Sequence, residues 1–162
     1  MLIGEGDVLS RFFFETHCGD LGATGVKSIR SWLSKHADAR LVVIDTFAKV
    51  TPPRDGRTNA YNEDYALIGK IKALADEFGV CILLIHHVRK ASTKDFLKSV
   101  SGSFGLTGGA DTILVLKRKR NELSATLDVT GRDIEEAEHA LQFDPVTGRW
   151  TLVGAGPSRA SG

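Results

Sequence analysis

The sequence runs to 162 residues, of which 42% are hydrophobic and 25% charged, with a formal net charge of +1. That length suits one domain with a core of its own, and the near-neutral balance excludes a general polycation, so any contact with nucleic acid must come from a local patch. Cys18 and Cys81 are the two cysteines; their isolation predicts reduced thiols without a disulfide. The first residues lack the basic start and long apolar core of a signal peptide, and no apolar run approaches membrane-spanning length. A cytoplasmic protein without membrane contact is the expectation.

Phe12-Phe13-Phe14 predicts a short strand ending at Glu15-Thr16. Val26, Ile29, Trp32 and Leu33 recur at helical spacing and predict a helix that ends near His36. The run Leu41-Val42-Val43-Ile44 is apolar without alternation, the pattern of a strand buried on both faces, and it ends in Asp45. Pro52-Pro53 and Asp55-Gly56 mark an irregular loop over 47–59. Tyr61, Tyr65, Ile68, Ile71, Ala75 and Phe78 form the expected buried stripe of a long helix, which Gly79 ends. Val80 to Ile85 repeats the buried-strand pattern, with Cys81 inside it and His86-His87 at its carboxyl end. Strand, helix and strand in this order predict a right-handed βαβ unit with parallel strands.

A polar segment over 89–103 and a short Gly-rich helix over 103–110 come next. Asp111 to Leu116 predicts a further strand, followed by the basic run Lys117-Arg118-Lys119-Arg120. Ala125, Leu127 and Val129 alternate with polar residues, as in a strand with one wet face. Ala140 to Phe143 and Arg149 to Val153 flank Asp144-Pro145-Val146-Thr147-Gly148 and predict an antiparallel hairpin. The fold expected is α/β: about seven strands in a mixed sheet, parallel at the start and antiparallel at the end. One domain over 1–154 and a disordered tail over 155–162 are expected.

Ligands of open α/β sheets bind at the carboxyl ends of the strands, which draws attention to Asp45, His86 and His87. Asp45 has two readings: a Walker B carboxylate that holds Mg²⁺ through water beside a nucleotide, or a cap of the following turn. A neutral imidazole at His86 or His87 could bond a terminal phosphate or a catalytic water; the alternative is a histidine that anchors a loop. Alternation along a strand would point one of the pair at the site and the other away. Zinc is a poor fit, because two adjacent histidines lack Cys or His partners at metal spacing. Arg132 closes a strand and could reach a neighbouring subunit's phosphate, or pair with Asp133 or another surface acid. Lys94, Lys98 and the 117–120 run could meet nucleic-acid phosphates, or lie in a solvated loop and strand end. Gly4-Glu5-Gly6 is not a phosphate loop: GxxxxGK[ST] does not occur, and no lysine precedes Lys27.

Taken together, these segments resemble the RepA-like hexameric helicases, which are RecA-like, AAA-type ATPases of plasmid and phage replication. Ala39 to Val50 is similar to their Walker B region, Asn59 to Ala75 to the helix that follows, and Ile82 to Lys90 to their sensor strand. Ser101-Gly102-Ser103 with Gly108 to Thr112 resembles the turn and helix leading to the next core strand. Val129 to Asp133 resembles the strand end that carries their basic finger, and Phe143-Asp144-Pro145 with Gly148-Arg149-Trp150 their closing hairpin. The resemblance covers about residues 28 to 154.

The resemblance implies a RecA-like core, ATP hydrolysis at subunit boundaries, a ring oligomer and movement on single-stranded DNA. It implies ATP and Mg²⁺ as cofactors, with Asp45 holding the metal and Thr46 beside it at the nucleotide. His86 or His87 would sense the γ-phosphate, and Arg132 would act on the adjacent subunit's nucleotide. Arg89, Lys90, Lys94 and Lys98 would face DNA. One departure is decisive: the family's phosphate loop lies upstream of every segment matched here. Glu15 also ends a predicted strand, but its spacing to Asp45 fits a later, non-catalytic strand better than the one carrying the catalytic glutamate. The expectation is a RecA-like core whose N-terminal strands are missing. It would not bind ATP tightly or hydrolyse it alone, and a second copy or a partner would cover the apolar edge. The alternative is a non-catalytic DNA-binding or assembly protein of the same fold.

Overall fold

The computed structural model describes residues 11–53, 59–87 and 105–155. They fall into two compact units, one of Glu15–Ala110 and one of the residues from Asp111 onward together with the segment up to Phe14. The architecture is mixed α/β. The first unit contains α1 (Gly25–Leu33), β1 (Leu41–Asp45), α2 (Phe47–Val50), α3 (Ala60–Phe78), β2 (Cys81–Ile85) and α4 (Gly105–Gly109). The second contains β3 (Thr112–Lys117), β4 (Ser124–Gly131), β5 (Ala137–Asp144) and β6 (Arg149–Ala155).

α3 is delimited by side chains suited to its ends. The Asn59 side-chain oxygen accepts the Tyr61 N–H at 3.0 Å, a cap whose loss typically costs about 1 kcal/mol. Gly79 ends the helix in the left-handed region at φ 61°, where an L side chain costs about 1–2 kcal/mol. The buried stripe consists of Asp64, Leu67, Ile68, Ile71 and Leu74. It is turned from the expected one: Ile68 and Ile71 are buried as predicted, whereas Tyr61 and Tyr65 are exposed and stack on each other at 6.0 Å. Aromatic periodicity overlapped the true stripe by about one turn, and each phenol ring keeps its hydroxyl near water.

β1 and β2 pair in parallel, with Leu41 opposite Cys81 and Asp45 opposite Ile85. α1 and α3 cover one face of this pair. Val42, Ile44, Ile82 and Leu84 meet Ile68 and Ile71 in one cluster, while Leu33, Leu74 and Val80 close a second. Each fully buried leucine or isoleucine contributes about 1.5–3 kcal/mol. The opposite face is open: Leu41 is 54% exposed, and Val43, Cys81 and Leu83 are exposed with it. The expectation of strands buried on both faces therefore holds for one face, because the described residues supply a helix layer on that side only.

Three other segments differ from the sequence reading. Phe12, Phe13 and Phe14 join no strand; they are exposed, and among the described residues no neighbouring backbone pairs with them. α2 lies within the expected loop. A single turn suffices to bury Phe47 and Val50 three residues apart, and Thr51 donates both its N–H and its hydroxyl to the Phe47 carbonyl. The six strands form a two-stranded and a four-stranded sheet, rather than a single sheet of about seven strands.

The second unit is an antiparallel meander in the order β3-β4-β5-β6, as the alternation and hairpin pattern predicted. The β5–β6 turn is built by Asp144: its carboxylate accepts the Val146 N–H at 2.9 Å and the Thr147 hydroxyl at 2.7 Å. Gly148 then takes φ 68°, a turn conformation that glycine adopts without strain. The face of β4 expected to be wet is partly closed. Asp128 is buried, and Lys117 reaches it at 2.6 Å.

Candidate functional site

The parallel register fixes the central fact. Asp45 is the last residue of β1 and stands opposite Ile85, the last residue of β2, so the carboxylate and the His86-His87 pair leave neighbouring strands at the same end. Burial separates them by face. Leu41, Val43 and Asp45 are exposed, and Val42 and Ile44 turn toward the helices. On β2, Ile82 and Leu84 turn the same way as Val42 and Ile44. The Asp45–Thr46 peptide bond is cis, and Thr46 leads directly into α2.

His86 is half-buried, and the Phe47 ring meets it edge-on at 6.3 Å. Burial holds its imidazole below the ordinary value, His87 pushes in the same direction, and the charge of Asp64 opposes both. His87 is exposed. Asp64 and Phe47 are the neighbours that the sequence reading passed over. A signal for Asp64 was present, because it stands three and four residues before Leu67 and Ile68, on the stripe of α3 that is buried. An acid on an apolar stripe has to be satisfied within the fold.

α4 packs on α3 beside Asp64. A Cβ at Gly105 would collide with the Tyr61 carbonyl and stand 3.2 Å from the Asp64 Cβ. At Gly109 it would stand 2.7 Å from Ile68 Cγ2. Glycine lets the two helices approach this closely. A groove lined by Thr51, Pro52, Asp64, Leu67 and Lys70 runs along α3, and none of the predicted site residues lines it.

Arg132 belongs to the second unit. Its N–H bonds the Asp111 carbonyl at 3.0 Å, and its guanidinium lies 3.9 Å from the Asp111 carboxylate, which is the surface-acid pairing. In the basic run, Lys117 is engaged with Asp128. Arg118 donates to the Glu122 carbonyl at 2.7 Å and lies over the Phe143 and Trp150 rings. Lys119 pairs with Glu122 at 3.4 Å. Arg89, Lys90, Lys94 and Lys98 lie outside the described residues, as do Gly4-Glu5-Gly6 and Ser101-Gly102-Ser103.

Among the described residues no three or more His, Cys, Asp or Glu gather as a metal cage. Mg²⁺ beside a nucleotide needs no such cage, since one or two carboxylates, water and phosphate oxygens complete its shell. An exposed Asp45 at a strand end, followed by the Thr46 hydroxyl, fits that use. No described helix is long and apolar enough to cross a membrane.

Comparison with known proteins agrees with this geometry. No curated protein matches. Among solved structures, the ATPase domain of a replicative helicase superposes with a TM-score of 0.68 at 17% identity, over 87% of this chain and 54% of that one. A DnaB-like replicative helicase, described with its interactions with primase, gives 0.65 at 17% identity, over 85% of this chain and 36% of that one. The chain thus spans about half or less of the structures it resembles, and it shares the RecA-like fold of their ATPase domains. The model of the AAA domain family matches residues 6–93, more than half of the sequence. The chain belongs to the AAA domain family.

Proposed function

We propose that this chain is the Walker B and sensor part of a RecA-like ATPase core of the replicative-helicase group. The observation that carries this reading is the parallel register, which sets Asp45 beside the His86-His87 pair at the carboxyl ends of β1 and β2. In this reading Asp45 holds a water-bridged Mg²⁺ with Thr46 beside it. A histidine of the pair faces the γ-phosphate of ATP, and Arg132 leaves Asp111 to meet the nucleotide of an adjacent subunit. Mg²⁺ supplies charge neutralisation at the β- and γ-phosphates when bound. The residues of this chain place a carboxylate and an imidazole at that point.

The backbone amides and lysine of a GxxxxGK[ST] loop are not in this sequence. Such a loop is the main cradle of the β- and γ-phosphates, and positioning supplies most of the catalysis in phosphoryl transfer. The chain alone therefore binds Mg-ATP weakly and does not turn it over. Isothermal calorimetry should show no micromolar dissociation constant for Mg-ATP, and a micromolar value would overturn this part of the reading. The open face of Leu41, Val43 and Leu83 supports cover by a second copy or a partner, and a monodisperse monomer in light scattering would count against it. Arg89, Lys90, Lys94 and Lys98 are assigned to single-stranded DNA. Binding should weaken with salt and with loss of Lys94 and Lys98.

A further inference from the structure

The two adjacent histidines are chemically identical, and their sequence does not distinguish them. Their surroundings do. β1 and β2 each present one face to α1 and α3 and the other to the open side. Ile44 and Leu84 stand opposite one another on the helix side, and Asp45 and Ile85 follow on the other. Continuing that alternation by one residue returns His86 to the helix side and by two brings His87 to the side of Asp45. Burial agrees: His86 is half-buried against the Phe47 ring, which itself belongs to the helix-side core, and His87 is exposed. Asp64, 3% exposed, begins the buried stripe of α3 that faces this core. Gly105 of α4 closes over its Cβ.

We propose that the pair divides its work: His87 meets the terminal phosphate of a nucleoside triphosphate beside Asp45, and His86 is held on the helix side, with Asp64 as its positioning residue. This rests on the nucleotide reading given above for the part concerning His87; the part concerning Asp64 and His86 does not. His86 thereby fixes the backbone from which His87 projects. Asp64 links that backbone to α3 and, through Gly105, to α4. The charge of Asp64 acts on the His86 imidazole in the same sense, favouring its protonated form against burial.

Imidazole nitrogen NMR on the whole chain separates the two parts. Asp64→Asn should move the His86 ring resonances, lower its titration midpoint further and leave those of His87 in place. A change at His87 alone, or at neither ring, would overturn the positioning role. If Asp64→Asn fails to fold, His87→Gln at the exposed site provides the assignment in a folded protein. The ring that remains should then be the one that titrates below the ordinary histidine value, and an ordinary value would overturn the assignment of His86. Mg-ATP at millimolar concentration should shift the Asp45 backbone amide and the His87 ring. A shift of Asp45 with His86 instead of His87 overturns the division of labour while keeping the site. No shift at Asp45 or at either ring overturns the nucleotide reading and the role of His87 with it, and the Asp64→Asn result still decides the positioning of His86.

Discussion

The two compact units use different means to hold their secondary structure. In Glu15–Ala110 a helix layer lies on one face of a parallel strand pair, and the described buried apolar residues of the chain gather there, from Leu21 through Leu74 to Val80. In the antiparallel unit the buried apolar residues are Val115 and Ala125, while Leu114 and Leu152 are 52% and 61% exposed. That sheet relies on its hydrogen-bonded ladder, its cross-strand pairs and the Lys117–Asp128 contact. The difference teaches where sequence changes should hurt: deleted volume matters in the first unit, and removed polar partners and turn groups matter in the second.

The largest test of that contrast is truncation of a leucine in each unit. Leu74→Ala removes a side chain with no exposed surface and should cost about 2–5 kcal/mol in chemical unfolding. Leu114→Ala should cost less than about 1 kcal/mol, because half of that side chain is already in water. Equal losses would show that the antiparallel sheet has a buried layer of its own. Next comes Gly105→Ala, whose new Cβ meets Tyr61 and Asp64 of α3. Overpacking of this kind costs about 1–3 kcal/mol, and the His86 ring resonances should move with it.

Lys117→Met tests the second unit's dependence on polar partners. It strips a cation from buried Asp128 and should cost about 1–3 kcal/mol. Lys119→Met, at a side chain 84% exposed, should stay within about 0.5 kcal/mol. Thermal melts of the two variants side by side decide it.

The smallest effects are those of pH. The folded protein holds His86 below its ordinary value of 6.5, so the unfolded chain takes up that proton first. The stability contributed by neutral His86 is complete above about pH 6.5 and is lost as pH falls through the lower, folded value. His86→Asn should remove this component from the pH dependence of the melting temperature. Asp144 shows the same sign at lower pH. The Thr147 hydroxyl, followed by the Val146 amide, holds its carboxyl below the ordinary carboxylate value, so its support of the β5–β6 turn is present at neutral pH and lost on acidification. Asp144→Ala should lower the melting temperature slightly near neutrality and not at all in acid.

The sequence by itself determined most of the elements and their class. Unbroken apolar runs at Leu41–Ile44 and Val80–Ile85, a long periodic helix with Gly79 at its end, and alternation followed by Asp144-Pro145 and Gly148 are local signals. They act through backbone preference and side-chain period, which do not depend on distant residues. The strand-end position of Asp45 and His86-His87 was legible for the same reason. The tertiary structure alone decided which face of each strand is covered, and with it the open side of Leu41 and Val43. It also decided that Phe12–Phe14 finds no ladder, that the stripe of α3 begins at Asp64 rather than at the tyrosines, and that Arg132 lies beside Asp111. Each of these depends on which surface a distant segment brings up against the residue. Two adjacent histidines carry identical local information, so it is the Phe47 ring and the buried Asp64, from other elements, that distinguish His86 from His87.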